Sequence, residues 1–167
     1  MQHNFNNSLQ WGDSCSHAPF WDAVYRKAFS NLVCHCPSTG NNRVQRAGID
    51  RIILLDNGRT LYVDEKKRSK EYGDILIEYV SISTTGEAGW IEKDLSIDFL
   101  AYAFMQSRRV YLFPWPLLRR AWITNKERWL NSYRRVEANN GNYYTYSVPI
   151  PIAELQRSVA KALIIEV

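Results

Sequence analysis

A chain of 167 residues, 46% hydrophobic and 23% charged, has the composition of an ordinary globular protein with room for one domain and its own core. It has no apolar run long enough to cross a bilayer, and the polar start MQHNFNNSLQWGDS lacks the basic-then-apolar pattern of a secretion signal. A cytoplasmic protein with no membrane partner is therefore expected, and its net charge of +4 is modest, so the distribution of charge tells more than the total.

In chain order, PFWDAVYRKAFSNLV (residues 19–33) repeats apolar side chains at Phe20, Val24, Ala28 and Leu32, which predicts an amphipathic helix opened by proline. Residues 35–47, rich in Asn, Pro, Ser and Gly, read as a loop. Two β-prone runs then flank Asp56-Asn57-Gly58 and predict a β-hairpin, 48–55 with 59–66. Asp74 to Ile82 is nearly all apolar and predicts a third, central strand.

Trp90 to Leu95 suits a helical turn, and 98–104 with 109–113 are two more apolar strands around a polar turn. Pro116 suits the start of a helix whose apolar stripe runs from Leu117 to Tyr133. Tyr143 to Val148 reads as an edge strand closed by Pro149 and Pro151, and Ile152 to Leu163 as a short helix. The order α, β, β, β, β, β, α, β, α predicts one α/β domain over 1–167, a mixed central sheet flanked by helices, with its core over about 19–135.

The three cysteines form no disulfide framework. Cys15-Ser16-His17 and Cys34-His35-Cys36 hold ligand types too closely spaced for zinc, which usually needs about two to four intervening residues. His3, His17 and His35 fall in predicted loops and receive no role. Residues 108–137 concentrate eight Arg or Lys against Glu127 and Glu137, which suits either a solvated helix face or a polyanionic partner. Within that block Arg119, Arg120 and Lys126 are the candidate backbone contacts to a nucleic acid. Trp115, Trp122 and Trp129, seven residues apart, suit a helix core better than a base-stacking row.

The hairpin carries the chemistry. Asp50 opens its first strand and Asp64-Glu65-Lys66-Lys67 closes its second, so pairing across Asn57-Gly58 brings the acids together. An acid and a lysine at i and i+2 share one face of a strand. Carboxylates from two elements suit Mg²⁺, and an adjacent lysine suits the charge that develops when a phosphodiester is hydrolysed. Glu78, embedded in an apolar strand, is a third candidate ligand, since a buried carboxylate needs a partner. Two registers stay open: Asp64 with Lys66, or Glu65 with Lys67.

A helix, then Gly48-Ile49-Asp50 on a strand, then Val63-Asp64-Glu65-Lys66-Lys67-Arg68 ending the next, resembles the PD-(D/E)xK restriction-endonuclease-like nucleases. Asp74 to Tyr79, Gly89 to Lys93 and Ser96 to Tyr102 resemble the following segments of phage and bacterial members, so the likeness covers about 19–135. It implies a restriction-endonuclease-like fold, a Mg²⁺ or Mn²⁺ cofactor, DNA as substrate and a homodimer as one form. It assigns Asp50 and Asp64 to the metal, with Glu78 as a further ligand, and Lys66 to the attacking water, with Glu65 and Lys67 as the alternative pair. Asp22 stands on the first helix where many members carry Glu. The competing expectation is a non-catalytic DNA-binding or phage assembly protein on the same scaffold.

Overall fold

The computed structural model describes residues 19–38, 47–159 and 163–167. Cys15, His17 and His3 lie outside them. The described residues form a mixed α/β structure with three helices and two sheets, and contacts divide the chain into two compact units.

The first unit takes in 19–38, 47–71, 95–116 and 163–167 of the described residues. Its helix α1 (Pro19–Ala28) begins on proline, carries Asp22 in the first turn and Arg26 and Lys27 in the last, and so matches the helix dipole at both ends. Phe20, Trp21, Val24 and Tyr25 form its buried face. The predicted helix to Val33 is shorter than expected, because the chain turns at Phe29–Asn31 and continues as strand β1 (Leu32–Pro37). That strand occupies part of the predicted loop. Leu32 and Cys34–Pro37 gain a ladder against the next strand, with an irregularity at Val33, and this outweighs a weak helical periodicity.

Strands β2 (Arg51–Leu55) and β3 (Thr60–Arg68) form the expected hairpin, with Arg51 opposite Val63 and Leu54 opposite Thr60. Gly58 adopts φ 78°, a left-handed conformation that glycine tolerates. After β3 the chain leaves the sheet and returns as β6 (Phe99–Phe104), parallel to β3, followed by antiparallel β7 (Arg109–Pro114). The last strand, β10 (Leu163–Glu166), pairs with β7. The order is β1-β2-β3-β6-β7-β10, a mixed sheet. Ile53, Leu55, Leu61, Val63, Ala101, Ala103, Val110 and Leu112 point to α1 and make one core with its buried face. By the two-residue period of strands, Asp64 and Lys66 project to the other side.

The second unit takes in 72–94 and 117–159 of the described residues. Strands β4 (Asp74–Ile82), β5 (Glu87–Ala88), β8 (Val136–Asn139) and β9 (Tyr144–Pro151) form an antiparallel sheet in the order β5-β4-β9-β8. Thus β4 is interior, as expected, but in a different sheet from the hairpin, because β6 has taken the place beside β3. Strand β9 is interior too, not an edge. Its prolines fit because β8 reaches only Tyr144–Ser147, leaving Pro149 and Pro151 with a neighbour on one side alone.

Helix α2 (Trp115–Ser132) starts with Trp115 and Pro116 in the first unit and runs on in the second. Trp115, Trp122 and Trp129 are all buried, so the seven-residue row is core packing. Helix α3 (Ile152–Ser158) ends earlier than predicted, and the segment from Leu163 is strand β10.

Candidate metal centre

The regular β2–β3 ladder stops at Arg51 opposite Val63. Beyond it the Asp50 amide donates to the Val63 carbonyl at 2.9 Å, and the Ser38 amide donates to the Asp50 carbonyl at 2.9 Å. The Asp50 side chain then acts in place of a ladder acceptor, with its Oδ2 taking the Glu65 amide hydrogen at 2.8 Å. Gly48, at φ 78°, turns the chain into this position.

Asp64 lies on the opposite face from α1 and is only 2% exposed. Lys66 Nζ donates to Asp64 Oδ1 at 2.6 Å, and the lysine itself stays 32% exposed. Asp64 Oδ2 is buried without a hydrogen-bond donor among the described residues. The Asp50 carboxyl lies within hydrogen-bonding reach of Asp64. Two ionised carboxylates are both acceptors, so they can be joined only by a proton or a cation. Burial, offset in part by the Lys66 charge and reinforced by Asp50, pushes the Asp64 carboxyl up to about 7.

The other register is arranged differently. Glu65 faces α1, where Arg51 Nε donates to its Oε1 at 2.8 Å and Tyr25 Oη donates to the same oxygen at 2.9 Å. Arg51 and Glu65 side chains are each 3% exposed. Burial and the Glu65 charge hold the Tyr25 hydroxyl well above its ordinary range, so it remains a donor. Of the two acid-x-lysine pairs, Asp64 with Lys66 is the one set against Asp50, while the Glu65 carboxylate is engaged on the far face.

Arg51 and Tyr25 received no role from the sequence. A strand reading could have flagged Arg51, because it shares a face with Ile53 and Leu55, and a cation on an apolar face needs an anion. No comparable pattern marks Tyr25.

Glu78 lies on β4, opposite Ser147 in the four-stranded sheet. Among the described residues no three His, Cys, Asp or Glu side chains gather as a metal-holding group. Glu78 belongs to the second unit, whereas Asp50 and Asp64 belong to the first. Asp22 bonds Arg26 at 2.8 Å and His35 at 3.1 Å. Cys34 and Cys36 are exposed free thiols.

The basic block is largely paired with the protein's own acids. Arg119 meets Asp94 at 2.9 Å, Lys126 meets Glu92 at 2.6 Å, Arg128 meets Glu154 at 2.5 Å and Arg135 meets Glu137 at 2.6 Å. Lys93 meets Glu87 at 3.0 Å. Arg120 is exposed and has no ion-pair partner among the described residues. Apart from Glu137, which lies within the block, these acids come from Glu87–Asp94 and from Glu154, too far along the chain for local pattern to reveal the pairing.

Among the described residues no helix is long and apolar enough to cross a membrane. No family model, curated protein or solved structure matches the chain.

Proposed function

We propose that the chain is a Mg²⁺- or Mn²⁺-dependent nuclease that hydrolyses DNA phosphodiester bonds, with a restriction-endonuclease-like arrangement of its hairpin. One observation carries this reading: Asp64 is buried against a second carboxylate, with one oxygen on Lys66 and the other without a donor. A carboxyl pair of this kind fits an oxygen-seeking divalent cation, and Mg²⁺ needs only one or two protein carboxylates beside its waters.

Asp50 and Asp64 would hold the ion. When bound, it supplies Lewis-acid polarisation of a phosphoryl oxygen and neutralises developing charge. Lys66 reaches out of the buried pair into a partly exposed position, where its ammonium can orient an attacking water and steady the negative charge of the transition state. Lys67, Arg68 and Lys70 continue from the same strand end, so positive charge accumulates where a phosphate backbone would run. Glu65 has no direct part in this scheme.

The test is cleavage of plasmid and oligonucleotide DNA with Mg²⁺ or Mn²⁺, comparing the unmodified protein with Asp64→Ala and Lys66→Ala. Metal-dependent cleavage lost in both variants is expected. Cleavage that survives both substitutions sinks the assignment.

The competing reading, a non-catalytic DNA-binding protein acting through residues 108–137, draws less support, because most of the cations that motivated it are paired internally.

A further inference from the structure

We infer that the buried Arg51–Glu65–Tyr25 cluster is a positioning device that holds Asp50 against Asp64 from behind. The inference rests on the metal-dependent reading of that acid pair.

The two clusters are built back to back on the same two peptides. Arg51 follows Asp50 and Glu65 follows Asp64, so each strand sends an acid to one face and a member of the ion pair to the other. Strand β3 is held firmly at this point, since Asp64, Glu65 and Lys66 also pair with Leu100, Ala101 and Tyr102 of β6. Strand β2 is different, because its regular pairing with β3 ends at Arg51. Asp50 lies just beyond that pairing, its amide making the last backbone bond to β3, at the Val63 carbonyl. The diagonal link from Arg51 to Glu65, at 2.8 Å, clamps that end. Tyr25 braces the clamp from α1, with its hydroxyl 2.9 Å from Glu65 and its ring 5.8 Å from the Arg51 guanidinium.

Clamping Glu65 fixes its amide, and that amide is the group that holds Asp50 Oδ2. The side chain of Glu65 thus acts on the acid pair through its own backbone. A buried ion pair contributes little stability compared with apolar residues of similar volume, so stability alone gives weak reason for this one. Orientation of ligand carboxylates gives a better one, since outer partners of metal ligands commonly affect affinity by about 10–100-fold.

The experiment measures the dissociation constant for Mn²⁺ alone by calorimetry, and unfolding by urea without metal. The double variant Arg51→Met/Glu65→Leu removes the clamp with apolar side chains, Tyr25→Phe removes only the brace, and Glu65→Gln keeps an acceptor for both donors. The expected result is unfolding free energy close to the unmodified protein in the double variant, with Mn²⁺ binding weakened about tenfold or more. Tyr25→Phe should weaken binding less, and Glu65→Gln should recover part of the loss. Unchanged Mn²⁺ affinity in both the double variant and Tyr25→Phe overturns the positioning role while leaving the metal site standing. If the unmodified protein binds no Mn²⁺, both the site and the inference fail. Should the double variant not fold, Tyr25→Phe and Glu65→Gln decide the matter alone, since both preserve shape.

Discussion

Lys66 Nζ lies 2.6 Å from Asp64 Oδ1, and this ion pair satisfies only one oxygen of a carboxylate that is almost wholly buried. Burial, against the opposing charge of Lys66 and with the help of Asp50, raises the Asp64 carboxyl to about 7. The native state then holds this proton more tightly than the unfolded chain does. Between about pH 4 and pH 7 the unfolded chain has lost the proton while the folded one retains it, so stability falls as pH rises through that window. Above it the penalty is constant. Asp64→Asn removes the ionisation and offers Asp50 a donor. It should therefore be more stable than the unmodified protein at pH 8, by about 2 kcal/mol, and near parity at pH 4. Urea unfolding at the two pH values checks this, and an equal gain at both would show that the Asp64 charge is not the cause.

A divalent ion placed between the same carboxylates removes the repulsion that the proton otherwise relieves. Mn²⁺ at about a hundred times its dissociation constant should stabilise the protein by about 2.7 kcal/mol at pH 8. For a chain of this length that corresponds to a rise in Tm of roughly 5–10 °C. Asp50→Asn and Asp64→Asn should each abolish most of the rise, since each removes one of the two carboxylates that would hold the ion. Differential scanning fluorimetry with and without EDTA reads the shift. A rise that persists in Asp64→Asn would place the ion elsewhere.

The tryptophans and the basic residues of α2 should separate cleanly. Trp122 and Trp129 are fully buried, and their rings lie 6.2 Å apart. Trp122→Ala or Trp129→Ala should cost about 3–5 kcal/mol through lost burial and the cavity left behind. Arg120→Ala should change stability by less than about 0.5 kcal/mol, because Arg120 is exposed. Lys126→Ala, which loses a solvent-accessible pair with Glu92, should cost below about 1 kcal/mol. Urea midpoints for the four variants test the ranking, and a large effect of Arg120→Ala would contradict it.

The parts of the fold that are legible in the sequence are those written in short-range pattern. The hairpin follows from Asp56-Asn57-Gly58 between two apolar runs, and the convergence of Asp50 and Asp64 follows from the hairpin. The buried tryptophan stripe follows from helical spacing. What the sequence conceals is partner choice at long range. Nothing local indicates that β6 rather than β4 pairs with β3, because both segments are apolar and β-prone. The same reason hides β1, β8 and β10, which are short and gain their structure only from the strand alongside. At the site, Asp64-Glu65-Lys66-Lys67 leaves both registers open, since Leu61, Tyr62 and Val63 are all apolar. The choice depends on α1 packing over Leu61, Val63 and Glu65, a tertiary contact that places Tyr25 beside Glu65.

Gly48 offers a last test of how Asp50 is positioned. Its φ of 78° lies in the left-handed region, and a Cβ built there would stand 2.8 Å from Leu95 Cδ2. Gly141, at φ 86°, has nothing within 4 Å of the same position, so it serves as the control. Gly141→Ala meets only the conformational cost, about 1 kcal/mol. Gly48→Ala adds crowding against Leu95 and should cost about 2 kcal/mol. Leu95 is a flexible side chain, so trimming it should relieve that second part: Leu95→Ala should be less damaging in the Gly48→Ala background than alone. A double-mutant cycle on unfolding free energies measures this coupling. Strictly additive costs would mean that Leu95 does not press on the turn that carries Ile49 and Asp50 into the site.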